Sequence, residues 1–176
     1  MVPLKPQEIR NCIYRGSLNS LLIRLNGDPN WREILGQKKP DPRQKDVELI
    51  LRVTALWKNS VNYDSPMKEF LNKFMKRHKN PDEKWLEDVE NRFKKTAELI
   101  VAKISTKPLR PRGVLNSSML DSVFSTLMNN IDKLPADIVE RCNNLPIDKI
   151  TLSFGTNKKQ AVLDRLETAR KALVGS

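Results

Sequence analysis

Histidine is almost missing from this chain: His78 is the only one in 176 residues. A metal centre built on several imidazoles is therefore excluded, and a serine or cysteine triad has no base unless His78 supplies it. Cysteine is nearly as scarce, with Cys12 and Cys142 far apart and outside any CxxC spacing. Neither a disulfide scaffold nor a cysteine-rich zinc module is supported, and a reducing compartment fits. The six glycines form no phosphate-cradling loop followed by Lys-Ser or Lys-Thr, and there is no GxSxG elbow or HExxH helix. No metal, cofactor or catalytic residue is expected of the chain by itself. Long apolar runs are lacking as well. Met1–Pro6 has no apolar leader core, and no segment approaches the roughly 18 uninterrupted apolar residues that span a bilayer. The expectation is a cytoplasmic protein with no membrane partner.

Positive charge is what the sequence has in excess. Lys and Arg number 32 against 21 Asp and Glu, a net +11, which favours acidic partners and says nothing of fold. A hydrophobic fraction of 39% is too high for a disordered basic tail.

Apolar residues recur at helical spacing almost throughout. Pro6 suits the first turn of a helix through Gln7, Glu8, Ile9 and Arg10. Gly16 breaks it, Ser17 caps a short helix carrying Leu18, Leu21, Leu22 and Leu25 that Gly27 ends, and Asp28-Pro29 opens another with Trp31, Ile34 and Leu35. From Val47 to Trp57 the wheel is apolar nearly all round, as in a centrally buried helix. Ser65 as cap and Pro66 in the first turn introduce the stripe Met67, Phe70, Leu71, Phe74 and Met75. Asn80 to Glu83 caps the next helix with Glu83 at its third position, and Leu86, Val89, Phe93, Ala97, Ile100 and Ile104 keep one face apolar.

Lys107 to Gly113, with two prolines and a glycine, is the strongest break. Beyond it Leu120, Val123, Phe124, Leu127, Met128 and Ile131 predict a helix, and Pro135 starts a shorter one with Ile138, Val139 and Cys142. Val162, Leu166, Ala169 and Leu173 stripe the last helix, capped by Thr156 or Asn157. Ile150, Leu152 and Phe154 alternate, but a lone strand has no partner, so an extended connection is expected. The fold class expected is all-α or nearly so, an irregular multi-helix bundle. It is either two helical lobes, 1–106 and 116–176, joined by a basic proline-containing connection at 107–115, or one domain, 1–176.

Asp82, Glu83, Glu87, Asp88 and Glu90 cluster, and paired acids can hold a metal or split their pKa values. Several of them fall in the first turns of a helix, where they complement its dipole, and Glu90 faces Lys94 at i+4, so a structural role is expected. Basic residues form three groups that would serve a nucleic acid only by converging on one surface. Lys73, Lys76, Arg77, His78 and Lys79 lie at a helix C-terminal end, where a solvated face is the simpler reading. Lys107, Arg110 and Arg112 suit phosphates and a soluble linker equally. Lys158, Lys159, Arg165 and Arg170 flank the last stripe, as snorkelling side chains do. Phe70, Phe74 and Phe93 lie on core stripes, so no base-stacking platform of the RNA-binding type is expected.

The stretch Gln7-Glu8-Ile9-Arg10-Asn11-Cys12-Ile13-Tyr14-Arg15-Gly16, followed by Ser17-Leu18-Asn19-Ser20-Leu21-Leu22, resembles part of the ParB-like domain at the N-terminus of GmrSD-type restriction proteins. Asp46 to Arg52 and Pro66 to Met75 are similar to the next two helices of that family, as are Asn116 with Leu120 and Thr156 with Val162 and Arg165. The family's Asp-Gly-Gln-Gln-Arg motif, implicated in nucleotide hydrolysis, is not present, nor is the HNH nuclease domain that often follows. The resemblance implies the helical portion of a modification-dependent restriction or antiphage protein, contributing DNA contact or interlobe packing while a catalytic lobe or partner polypeptide carries the chemistry. On this reading Arg10, Tyr14 and Arg15 border the missing site, and Lys73, Lys76, Arg77, Lys79, Lys107, Arg110 and Arg112 are the candidates for DNA contact. Alternatively Arg10 and Arg15 pair with acids while Tyr14 packs. The rival function is a free-standing helical protein-interaction domain with no nucleic-acid role.

Overall fold

A computed structural model describes residues 3–151 and 158–175, and among them there are ten α-helices and no strand. In chain order these are α1 (Pro6–Ile13), α2 (Ser17–Leu25), α3 (Pro29–Leu35), α4 (Lys45–Asn59), α5 (Met67–Arg77), α6 (Glu83–Leu99), α7 (Ser117–Asn130), α8 (Ile138–Asn143), α9 (Ile147–Thr151) and α10 (Lys159–Val174). Short 3-10 turns at Ser60–Asn62 and Lys107–Leu109 and a π turn at Ile100–Ile104 complete the helical content.

Local chemistry sets the ends. Asp28 accepts the Trp31 N–H at 3.0 Å and Pro29 occupies the first turn, so α3 begins there. Asn116 caps α7 in the same way through the Met119 N–H, at 3.0 Å. Some ends differ from expectation by a residue or more. Asp82, not a capping box through Glu83, caps α6 by accepting the Trp85 N–H at 2.8 Å, which makes Glu83 the first helical residue. Pro66 is itself the cap of α5, and α10 is preceded by Lys158, whose side chain makes no capping bond. Thr156, Asn157, Leu152 and Phe154 lie outside the described residues. Ile150 belongs to α9 rather than to an extended connection. Ile147 and Ile150, three apart, share one helical face, and α9 packs on α7 and α10.

The axis of the bundle is α7, buried without interruption from Ser118 to Met128. Helices α4 and α10 pack along it, α6 adds a third side, and α2 and α3 close over α6. Trp31 meets Phe93 and Phe124 edge-on, at ring centroid distances of 5.3 and 5.8 Å, joining α3, α6 and α7.

Polar groups are buried where helices must keep register. Asp121 of α7 is fully buried and accepts from Arg52 Nε of α4 at 3.0 Å and from Arg165 Nη2 of α10 at 3.1 Å. Arg165 therefore does not snorkel beside its stripe. It is 1% exposed, because Val162, Arg165 and Ala169 follow i, i+3, i+7 on the face turned to α7, where a carboxylate receives it. Burial opposes the Arg52 charge, but Asp121 outweighs it and raises the Arg52 pKa. Burial also raises the phenol of Tyr63, which lies in the field of both arginines and Asp121.

Asp46 is a second such anchor. It accepts the Asp41 N–H at 2.8 Å and Arg32 Nη1 at 3.0 Å, tying the connection after α3 to the start of α4. Burial alone would raise its pKa, yet the Asp41 N–H, Asn26, Arg32 and the Val47 N–H together hold it below the usual carboxylate range.

Two outcomes are expected in denaturant unfolding. Asp121→Asn removes the charge between two guanidinium groups and lowers stability by about 3–5 kcal/mol. For Asp46 the folded pKa is the lower one, so its contribution is complete above the unfolded value of about 3.9 and is lost as pH falls through the folded value. Asp46→Asn is accordingly less stable at neutral pH and loses less stability than the parent on titration to about pH 2.

Candidate nucleic-acid interface

Two turns distant in sequence meet at Gly16. A Cβ there would run into the Lys79 carbonyl oxygen and Asn80 Oδ1, so only glycine permits the approach. The Ser17 N–H donates to Asn80 Oδ1 at 3.0 Å and the Leu18 N–H to the Lys79 carbonyl at 3.3 Å. The α1–α2 turn is thereby fixed on the α5–α6 turn, and Arg15 is brought beside Lys79. Arg15, Lys76, Arg77 and Lys79 are all exposed, and none of the four has a carboxylate partner among the described residues. On the α5 wheel Lys68, Asn72 and Lys76 fall within one quadrant, the side that faces α1, Lys73 is exposed further round, and Lys79 follows in the turn after the helix.

Arg10 is placed elsewhere. It is 2% exposed and donates to Glu48 at 2.8 Å, Gln7 at 3.0 Å, Asn72 at 2.9 Å and the Lys68 carbonyl at 3.3 Å, which latches α1 to α4 and α5. Tyr14 packs, half-buried, against the core. Ile9 and Ile13, on the flank of α1, are exposed, as is Leu4 ahead of the helix. Arg110 donates to the Ile34 carbonyl at 2.9 Å, over Gly36, whose φ of 66° ends α3. This sets the group Lys107, Arg110 and Arg112 at the end of α3, with Lys107 and Arg112 exposed.

A strip of rings leads away from the basic end. The His78 ring, at the C-terminal cap of α5, stacks on Trp85 at 5.2 Å and lies 4.6 Å from Phe74. Burial, then Arg77 and Lys58, lower its pKa, so the imidazole is neutral at neutral pH. Lys58 Nζ sits 3.9 Å from the centroid of Trp57 and 5.4 Å from that of Trp85, and pairs with Asp88 at 2.7 Å. Arg92, 5.7 Å from Trp57, shares Asp88 and donates to the Met128 carbonyl at 3.3 Å. The strip ends at a cleft of about 380 Å³ between α4, α7 and α10, lined by Trp57, Leu56, Ser125, Thr126, Leu163 and Leu166.

The sequence places Trp57 on a centrally buried helix, where it is in fact half-buried, and gives no sign of the cleft or of the part played by Trp85. Trp85 precedes Val89 and Phe93 by four and eight residues, so it continues the α6 stripe into the first turn of the helix, and that spacing is the available signal. Among the described residues no cluster of histidine, cysteine and carboxylates is placed to hold a metal, and no helix is long and apolar enough to cross a membrane. No family model, curated protein or solved structure matches the chain.

Because Arg10 bonds only within the fold, Arg10→Ala is expected to lower stability by about 2–3 kcal/mol in urea unfolding.

Proposed function

We propose that this chain is a helical module contributing DNA contact or interlobe packing to a GmrSD-like modification-dependent restriction or antiphage protein whose chemistry resides on another lobe or polypeptide. The observation that carries the reading is the Gly16 junction. It gathers Arg15, Lys76, Arg77 and Lys79, none of them neutralised by a carboxylate among the described residues, at one end of a chain of net charge +11. Phosphate contact needs that convergence, since an evenly spread excess of lysine binds nothing in particular. The exposed Leu4, Ile9 and Ile13, before and on the flank of α1, support the packing half of the proposal. The same apolar face is what favours the second reading, a protein-interaction domain with no nucleic-acid role.

Duplex DNA titrated against the protein over a range of salt separates the two. Affinity should fall linearly in log K against log salt, and Arg15→Ala, Arg77→Ala and Lys79→Ala should each reduce the slope by about one while binding weakens uniformly across sequences. Absence of binding at low salt would leave only the interaction-domain reading.

A further inference from the structure

We infer that the cleft beside Trp57 receives an unpaired nucleobase of the DNA held at the basic end; the inference rests on the DNA-contacting function proposed above. The lining of the cleft argues for an uncharged ligand. Among the described residues its only ionised groups are Glu167 and Arg170, joined to each other by two hydrogen bonds of 2.8 Å, and Glu167 also meets Lys171 at 3.4 Å. A phosphate or an ammonium group would find no partner there that is not already paired. Leu56, Leu163 and Leu166 supply apolar walls, and the indole of Trp57 supplies a flat one.

Hydrogen-bonding capacity sits at the rim and is of the amide and hydroxyl kind. The Ser125 hydroxyl is committed to the Asp121 carbonyl, and Asn130 Nδ2 to the Thr126 carbonyl at 2.8 Å. Asn130 Oδ1, the exposed Asn129 amide and the Ser60 hydroxyl remain as donors and acceptors lining the same space. A planar heterocycle with amide-like edges matches that set, and a volume of about 380 Å³ holds one base.

The surroundings decide among neutral heterocycles. Trp57 forms one wall of the cleft and also carries Lys58, which reaches Trp85, which stacks on His78, the neighbour of Arg77 and Lys79. Arg92 spans from the Trp57 ring to the Met128 carbonyl, next to Asn129 at the rim. A ligand whose base is neutral and whose backbone is anionic satisfies both ends of this path; a free apolar metabolite satisfies one. A base reaches such a cleft only when it is out of the stack.

The test uses two duplexes of the same sequence, one fully paired and one carrying a single bulged thymine, titrated against the full chain by fluorescence anisotropy. The bulged duplex should bind about tenfold more tightly, and Ser60→Leu, which fills the cleft, should abolish that difference while the paired duplex binds as before. Asn129→Ala, on an exposed residue that cannot unfold the bundle, should reduce the difference without moving the thermal midpoint. Equal affinity for the two duplexes, or a preference that survives both variants, would overturn the inference and leave the DNA-contacting function standing. No binding to either duplex would overturn both.

Discussion

Two guanidinium groups from different helices converge on one carboxylate at the centre of this bundle. Asp121 lies on α7, Arg52 reaches it from α4 and Arg165 from α10, with the carboxylate fully buried. Apolar packing alone would hold these three helices together, because burying leucine, isoleucine and phenylalanine is favourable in many arrangements. It would not fix how far one helix slides along another. A charged hydrogen bond is directional, and a shift of one turn would leave Asp121 without partners, which costs more than any repacking recovers. The register so fixed is the register of the cleft. Leu56 stands one turn beyond Arg52, Ser125 one turn beyond Asp121, and Leu166 follows Arg165 directly, so the walls are placed by the ion pairs beneath them.

Arginine and lysine divide the work of the positive charge. The cations that hold the fold together from buried or half-buried positions are Arg10, Arg32, Arg52 and Arg165, each donating to a carboxylate, and Arg10 and Arg32 to other groups as well. A planar fork of donors suits such sites and an ammonium does not. Lysine is left mostly at the surface, on stems that move freely. Hence the formal charge overstates what a partner would feel within the core and understates how concentrated it is at the Gly16 junction.

Much of the helical architecture was legible because most of the chain obeys one rule: an apolar stripe faces inward. Met67, Phe70, Leu71, Phe74 and Met75 are buried as their spacing requires, and so are Val89, Phe93 and Ala97. The rule fails where a charged residue occupies the stripe. A wheel sorts residues by polarity and so puts Arg165 on a flank; it cannot show that a carboxylate waits on another helix. Asp121, within a run of apolar residues on α7, gives no sign of its partners for the same reason. The approach of Arg15 to Lys79 is illegible in principle, since it depends on two turns touching. Gly16 alone recorded it, as a residue that a helix start does not itself require. Cap positions slipped by a residue or two because Asp82 and Glu83, like Ser65 and Pro66, offer alternatives that differ by little free energy.

The separation between the basic end and the cleft has a physical logic of its own. Contacts to phosphates tolerate mobile side chains, because the charge they meet recurs along every strand and no single geometry is demanded. Discrimination among bases requires groups held within a fraction of an ångström, and such groups must stand on packed helices rather than on turns. Here Arg15, Lys76, Arg77 and Lys79 are at helix ends and junctions, whereas the apolar walls Leu56, Leu163 and Leu166 are on helices keyed together by Asp121, with Asn129 and Asn130 in the last turn of α7. On the proposed function, weakening the buried ion pairs blurs the cleft before it loosens any grip on phosphate, so selectivity goes first and affinity only when the bundle itself opens.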